Sequence, residues 1–216
     1  MSNQNRRGWK VLCWNVRGIN SDEEWDPIKN TLVEAGYDIF CFQETKRQIW
    51  DPQFLRKFSP PGFDSFEILP SNGAPGGLII SWKSSAFRGQ LVFQNSFAIT
   101  FKLTAQHNSD YWFLTNVYGP CTHEGKRSFI QWFKHYTAVV VVNRLVIGDF
   151  NLLRKPENRN KPGDVNEMLL FNDAISSLGL IELPLYGRKF TWINKQPSPL
   201  MERLDWFFIS SSWTTF

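Results

Sequence analysis

The chain has 216 residues, of which 42% are apolar and 20% are charged, values that are ordinary for a globular domain. No apolar stretch approaches the ~20 residues of a membrane-spanning helix, and the polar, basic start lacks the apolar core of a signal peptide. Three cysteines without a closely spaced pair argue against a zinc ribbon and favour reduced thiols. We therefore expect one intracellular, monomeric domain over residues 1–216, nuclear or cytoplasmic, whose net charge of +4 is compatible with a polyanionic partner.

Most of the chain is predicted to form β-strands. Apolar runs rich in aromatic and β-branched residues recur along it, and several are separated by turn-forming Ser, Asn, Asp and Gly. In chain order, the predicted strands cover residues 9–16, 37–44, 77–82, 90–93, 98–103, 111–118, 144–148, 189–193 and 204–209.

Three helices are predicted between these strands. The first begins at Ser21, where Glu24 three residues on completes a capping box, and ends at Gly36. The second covers about residues 124–137. The third follows Asp164. Apolar side chains at steps of three and four give each helix one face for packing.

The run of one alanine and four valines at 138–142 is ambiguous, because valine favours strands while a helix precedes it. We assign it to a helix end or a short connector. Many strands with few, scattered helices predict an α+β fold, in which two packed β-sheets carry helices on their outer faces.

Polar residues stand at the ends of several predicted strands. If these ends converge at one edge of the two-sheet sandwich, carboxylates, amides and a phenol share one site. The candidates are Asn15, Glu44, Tyr118, Asp149, Asn151 and Asp205.

Such a set suits metal-dependent hydrolysis of a phosphodiester. Mg²⁺ takes oxygen ligands and keeps several waters, so one or two carboxylates suffice, and Glu44 is the natural ligand. Asp149 can orient or deprotonate the attacking water. The amides of Asn15 and Asn151 can hold the metal or a phosphate oxygen without adding negative charge. Taken singly, each residue is more typical of a turn or a solvated strand end, so the prediction depends on the ordered combination.

Seven sequence blocks occur in one order along the chain: CWNVRGIN, IFCFQETK, GGLIISW, LTNVYGP, LVIGDFN, KFTWIN and ERLDWFFIS. Together they resemble the endonuclease domain of plant non-LTR, LINE-type retrotransposons, which belongs to the endonuclease/exonuclease/phosphatase superfamily. The resemblance covers about residues 9–213. It implies a four-layered α/β sandwich that depends on Mg²⁺ or Mn²⁺ and acts on DNA.

The resemblance also implies roles for the strand-end residues. Asn15 and Glu44 are the implied metal ligands. Tyr118 is implied to contact the scissile phosphate, Asp149 to position or activate the water, and Asn151 to support the phosphate.

Two further roles follow from the resemblance: Thr191 contacts the DNA backbone, and Asp205 orients the family's catalytic histidine. Family members continue to a final Ser-Asp-His block, which supplies that histidine and another metal-site aspartate. The 216 residues contain no such block, and His107, His123 and His135 are predicted to be surface or structural residues. We therefore expect a C-terminally truncated domain in which Asp205 lacks its partner.

The loop at 152–163 follows Asn151 and contains four basic residues. Arg154 and Lys155 are the candidates for contacts with DNA phosphates. A solvated loop without a ligand is the alternative, and the sequence supports both interpretations equally.

The sequence is compatible with three functions. The first is a divalent-metal-dependent endonuclease that nicks one DNA strand. The second is a non-catalytic remnant that binds nucleic acid weakly, as the missing block suggests. The third is a small-molecule phosphatase of the same superfamily, because the metal site would be shared.

Overall fold

Two mixed β-sheets form the centre of the molecule in a computed structural model that describes residues 8–72, 76–136 and 143–214. The first sheet has four strands in the spatial order β1 (Val11–Asn15), β2 (Ile39–Gln43), β4 (Leu78–Trp82) and β3 (Ser65–Leu69). The second has six, in the order β5 (Phe87–Gln94), β6 (Ala98–Ala105), β7 (Tyr111–Tyr118), β8 (Arg144–Asp149), β12 (Asp205–Ser210) and β9 (Leu180–Glu182). A separate ribbon pairs β10 (Trp192–Ile193) with β11 (Met201–Glu202).

Helices cover the outer face of each sheet. The first sheet carries α1 (Asp22–Ala35) and α2 (Pro52–Phe58), and the second carries α3 (His123–Lys134) and α4 (Val165–Ser177). Short 3₁₀ turns lie at Pro156–Asn158 and Ser211–Thr214. The predicted sandwich of two packed sheets flanked by helices, four layers in all, is confirmed.

Apolar side chains on both faces of the strands form three clusters, one between the two sheets and one between each sheet and its helices. In β2, Ile39 and Cys41 face the second sheet, whereas Phe40 and Phe42 face α1 and α2, because successive strand side chains point to opposite faces. All four side chains are fully buried. Burial of an aromatic side chain such as Phe40 contributes roughly 1.5–3 kcal/mol.

The ends of α1 are set by local sequence, as predicted. The Glu24 N–H donates to Ser21 Oγ at 3.3 Å, and the Ser21 N–H donates to Glu24 Oε2 at 3.1 Å. This is the predicted capping box. Gly36 ends the helix with φ 64°, a left-handed conformation that favours glycine.

The prediction of three helices was wrong, because the described residues contain four α-helices. The helix that was missed, α2, has only seven residues, although Asp51 caps it and Pro52 begins it. Three short strands, β3, β9 and β11, were missed too, and the strand predicted at 189–193 shrinks to Trp192–Ile193. The whole valine run at 138–142 lies outside the described residues, so its assignment to a helix end or connector stays a prediction. No described helix is long and apolar enough to cross a membrane.

Candidate active site

Three strands of the second sheet bring polar side chains to the same edge. β7 and β8 run parallel, and Tyr118 pairs with Asp149 at their carboxyl ends. β12 runs antiparallel to β8, and its first residue, Asp205, also pairs with Asp149. Asp149 follows Ile147 by two residues, and Ile147 belongs to the core between the sheets, so Asp149 faces the first sheet. The three side chains therefore lie side by side at one end of the space between the sheets.

The first sheet reaches this edge through Asn15, the last residue of β1. Asn15 Nδ2 donates to Asp149 Oδ2 at 2.7 Å, a contact between residues 134 positions apart. The other carboxylate oxygen, Asp149 Oδ1, accepts the Asn151 N–H at 2.9 Å. Asn151 Nδ2 in turn donates to the Gly119 carbonyl at 2.7 Å. The nearly buried Asp149 is thus held in one orientation by donors from both sides.

Left-handed backbone conformations are concentrated around these strand ends. Arg17, Glu44 and Asn151 have φ angles of 56°, 56° and 53°. Such values are uncommon for residues other than glycine and cost free energy, so their grouping beside one site is consistent with a functional constraint.

Two glycines allow the ends of β7 and β8 to approach closely. A Cβ atom on Gly148, whose φ is 148°, would lie 1.9 Å from the Val117 carbonyl oxygen. A Cβ on Gly119 would lie 2.0 Å from the Phe150 carbonyl oxygen. Both obstacles are backbone atoms, so no side-chain movement relieves them. Larger residues here would separate the strands that carry Tyr118 and Asp149.

Glu44 directly follows β2 and lies beside Tyr118. Burial, and next the nearby negative charge of Glu44, raise the pKa of the Tyr118 phenol well above its ordinary value of 10. Tyr118 therefore stays protonated and acts as a hydrogen-bond donor at neutral pH. The Glu44 carboxylate is 3.0 Å from the ammonium of Lys46, and only 19% of its side chain is exposed.

Asp149 and Asp205 form a pair of carboxylates in register across β8 and β12. Burial is the main cause that raises the pKa of Asp149, against the hydrogen bonds from Asn15 and Asn151, which lower it. Burial, followed by the charge of Asp149, raises the pKa of Asp205 from 3.8 to about 7. Arg17 opposes both shifts. The pair carries negative charge that its surroundings only partly compensate.

This arrangement fits a magnesium-type cation. The available donors around Asp149 are carboxylate and amide oxygens, which Mg²⁺ and Mn²⁺ prefer. In the described part of the chain, no group of three or more His, Cys, Asp or Glu side chains is placed to hold a metal. A closed cage of the zinc type is therefore not found there, whereas Mg²⁺ needs only one or two carboxylates together with waters. A cation would also offset the excess negative charge at Asp149 and Asp205.

Two cavities meet at Asp149. The larger has a volume of about 730 Å³ and is bordered by Asp205, Thr191 and several aromatic side chains. The smaller, about 400 Å³, is bordered by Glu44, Tyr118 and Asn151. Asn15, Arg17, Asp149 and Trp192 line both. Their sizes are in the range of ligand-binding clefts, so a substrate can reach both sides of Asp149.

A model of the endonuclease/exonuclease/phosphatase family matches residues 12–216. The chain belongs to this family. Membership agrees with the two-sheet sandwich and with polar residues gathered at one sheet edge. No curated protein sequence matches the chain significantly.

Solved structures with this family's fold are similar over most of the chain. An AP endonuclease from Leishmania major has 15% sequence identity and a TM-score of 0.72, and the match covers 94% of this chain and 79% of that one. The endonuclease domain of TRAS1, a telomere-specific non-LTR retrotransposon, has 13% identity and a TM-score of 0.70, with 94% and 86% covered. A mannosyl-6-phosphatase from Bacteroides thetaiotaomicron has 14% identity and a TM-score of 0.59, with 95% and 86% covered. These likenesses establish the fold.

The three predicted DNA-contact residues differ in their contacts and exposure. Thr191 Oγ1 accepts the backbone N–H groups of Leu204 and Asp205 at 3.0 and 3.2 Å, which holds the start of β12. Arg154 lines neither cavity, because its guanidinium pairs with Glu182. Lys155 is exposed just before a 3₁₀ turn.

Several residues that line the cavities were not singled out from the sequence. Arg17 is exposed, lines both cavities and is the cation that they share. Its signal was present in the block CWNVRGIN, where a basic residue follows the strand end directly. Cys121 lines the smaller cavity together with His123, which was predicted to be a surface or structural residue. The His123 imidazole is 61% exposed and lies 4.0 Å from Glu167, at the rim and away from Asp205.

Proposed function

We propose that this chain is a divalent-metal-dependent phosphodiesterase that nicks DNA, and that it is the endonuclease domain of a retrotransposon of the plant LINE type. The observation that carries the activity is the hydrogen bond from Asn15 to Asp149, which joins the two sheets beside Glu44, Tyr118 and Asp205. The retrotransposon origin is supported by the seven ordered sequence blocks. The DNA substrate is supported by the similar folds of AP endonucleases and a retrotransposon endonuclease.

Asn15 and Glu44 are the proposed ligands for Mg²⁺ or Mn²⁺. When bound, the cation offsets the negative charge that develops on the phosphoryl oxygens. Asn15 also donates to Asp149, so its side chain fixes the carboxylate next to the metal position. The left-handed backbone at Glu44 turns its carboxylate toward the same edge.

Asp149 is the proposed group that orients and deprotonates the attacking water. Two hydrogen bonds hold its carboxylate in place, and burial raises its pKa, which makes the deprotonated carboxylate a stronger base. Tyr118 stays protonated and donates a hydrogen bond to a phosphate oxygen. Asn151, fixed by the Gly119 carbonyl, supports the phosphate. These three groups border the smaller cavity.

Asp205 is proposed to act through charge. Its carboxylate shares the edge with Asp149 and, with a pKa of about 7, gains its negative charge as the pH rises through neutrality. Arg17, exposed where the cavities meet, is proposed to bind a phosphate of the strand. Thr191 and Lys155 are proposed to contact the DNA backbone. Arg154 is proposed to add positive charge near this surface, because the carboxylate that it contacts, Glu182, is shared with Arg203.

The test is nicking of supercoiled plasmid in Mg²⁺ and then in Mn²⁺, with the wild-type protein, Glu44→Ala and Glu23→Ala. Glu23 is an exposed residue of α1 and serves as the matched loss of one carboxylate outside the site. We expect metal-dependent nicking by the wild-type protein and by Glu23→Ala, and none by Glu44→Ala.

Other outcomes separate the alternatives. Folded wild-type protein that binds DNA in a salt-dependent manner but does not cut it is a non-catalytic binding module. Turnover of phosphomonoesters without DNA cleavage identifies a small-molecule phosphatase. Nicking that survives in Glu44→Ala contradicts the proposed metal site.

A further inference from the structure

A pair of buried amides crosses the space between the two sheets directly behind the candidate site. Gln43 ends β2 in the first sheet, and Asn116 lies in β7 of the second. Gln43 Nε2 donates to Asn116 Oδ1 at 2.5 Å, and both side chains are fully buried. The surrounding core between the sheets consists of apolar side chains. An amide pair in such a core is costly unless its groups are bonded.

The hydrogen bonds fix how the amides are oriented. Asn116 Nδ2 donates to the carbonyl oxygens of Phe42 and Ile79 at 3.1 and 3.0 Å. Its oxygen must therefore face Gln43, and Gln43 must present its NH₂ group. Asn116 thus binds the backbones of β2 and β4 across the sandwich, while Gln43 holds Asn116 from the other side.

The Gln43–Asn116 pair lies next to the residues of the candidate site in both sheets. Gln43 pairs with Asn15 in register and directly precedes Glu44. Asn116 lies two residues before Tyr118 on the same face of β7. The bridge between Gln43 and Asn116 therefore joins the two sheets directly beside the side chains that form the candidate site.

We infer that Gln43 and Asn116 are positioning residues that set the separation of the two sheets at the metal site, so that Asn15 and Glu44 of the first sheet meet Asp149 of the second. This inference rests on the proposed function for its metal-binding consequence. Groups that orient metal ligands affect metal affinity strongly even though they do not touch the ion. A bridge that only stabilised the fold would be replaceable by apolar side chains of similar shape.

The experiment compares wild-type protein with Gln43→Met/Asn116→Leu and with Thr115→Val. The double variant replaces both amides by apolar groups, so neither amide stays in the core without the other, and the Phe42 and Ile79 carbonyls lose the donor Asn116 Nδ2. Thr115 is equally buried in β7, next to Asn116 but on the opposite face, and hydrogen-bonds Thr100 at 3.0 Å. It is the matched loss of a buried hydrogen bond away from the site. Urea unfolding, Mn²⁺ binding without DNA by electron paramagnetic resonance, and crystal structures are measured for each.

We expect the double variant to fold with a lower urea midpoint, because two buried carbonyls lose a donor. We expect it also to bind Mn²⁺ roughly tenfold more weakly and to lose the 2.7 Å contact between Asn15 Nδ2 and Asp149 Oδ2. Thr115→Val keeps the Mn²⁺ affinity and the contact. Unchanged Mn²⁺ affinity together with an intact contact in the double variant overturns the inference.

Failure of the proposed function is a separate result. If the wild-type protein does not bind Mn²⁺, the metal-dependent activity is wrong, and the Asn15–Asp149 contact in the crystal structures still tests the positioning. If the double variant does not fold, Gln43→Met alone is used, since it keeps both Asn116 donations to the first sheet. An intact contact and full Mn²⁺ affinity in that variant equally overturn the inference.

Discussion

Replacing Asp205 by Asn should make the metal-free protein more stable at alkaline pH. The pKa of Asp205 is raised from 3.8 to about 7, chiefly by burial and then by the charge of Asp149. Between these values the native protein binds more protons than the unfolded chain, so the free energy of unfolding falls as the pH rises through that window. The stabilisation is fully present below pH ~4 and is lost once the pH passes about 7. Asn has nearly the same shape as Asp but does not titrate. The free energy of unfolding of Asp205→Asn therefore does not fall over this pH range.

The size of the effect follows from the shift. A difference of about three pH units corresponds to an upper limit of about 4 kcal/mol at pH 8. Part of the Asp205 side chain is exposed to solvent, and screening by water reduces the free-energy cost of its charge. We therefore expect Asp205→Asn to exceed the wild type by about 2 kcal/mol at pH 8 and to match it near pH 4. Saturating Mg²⁺ should narrow the gap, because the nearby cation offsets the negative charge of Asp205, which only the wild type carries.

The assay is urea unfolding followed by tryptophan fluorescence at pH 4, 6 and 8 in the presence of a chelator. Asp110→Asn, an exposed aspartate at the hairpin between β6 and β7, is the matched control. Parallel pH dependence in wild type and Asp205→Asn would refute the reasoning, because Asp205 would then not be the group that titrates.

Two further predictions concern the strand ends. Gly119→Ala should cost about 1–3 kcal/mol in urea unfolding and abolish nicking, since its Cβ would lie 2.0 Å from the Phe150 carbonyl oxygen. Gly8→Ala, where a Cβ meets nothing within 4 Å, should match the wild type, and equal stability of both variants would contradict the prediction. Asn15→Ala removes a proposed metal ligand and also a hydrogen bond that lowers the pKa of Asp149, so at saturating Mn²⁺ the nicking rate should fall at both pH values and more at pH 6 than at pH 8. The pH–rate profile checks this, and an equal loss at both pH values would count against Asp149 as the base.

Elements with a strong local signal were predicted well. The capping box at Ser21 and Glu24 set the start of α1, because both hydrogen bonds involve residues three positions apart. The long apolar run at 111–118 became β7 with the same bounds. The short α2 and the three-residue β9 were missed, because few side chains contribute to their periodicity and their stability comes from packing on neighbours.

The site was predictable as a set of strand-end residues but not as an arrangement. Asn15, Tyr118, Asp149 and Asp205 do lie at one edge, as expected if the strand ends converge. The partner of Arg154 could not be predicted, because Glu182 lies in β9 and its contact with Arg154 depends on the tertiary position of that strand. The Gln43–Asn116 bridge was missed for the same reason, since its two residues are 73 positions apart.

The sequence by itself determined which segments alternate as strands, where α1 begins, and which polar residues stand at strand ends. These features depend on side-chain periodicity and on hydrogen bonds between near neighbours. Only the tertiary structure decided that Asn15 donates to Asp149 across 134 residues and that the charges of Asp149 and Asp205 act on one another. Both depend on which strands are neighbours and which sheet faces pack together. These are properties of the whole fold and cannot be derived from any single segment.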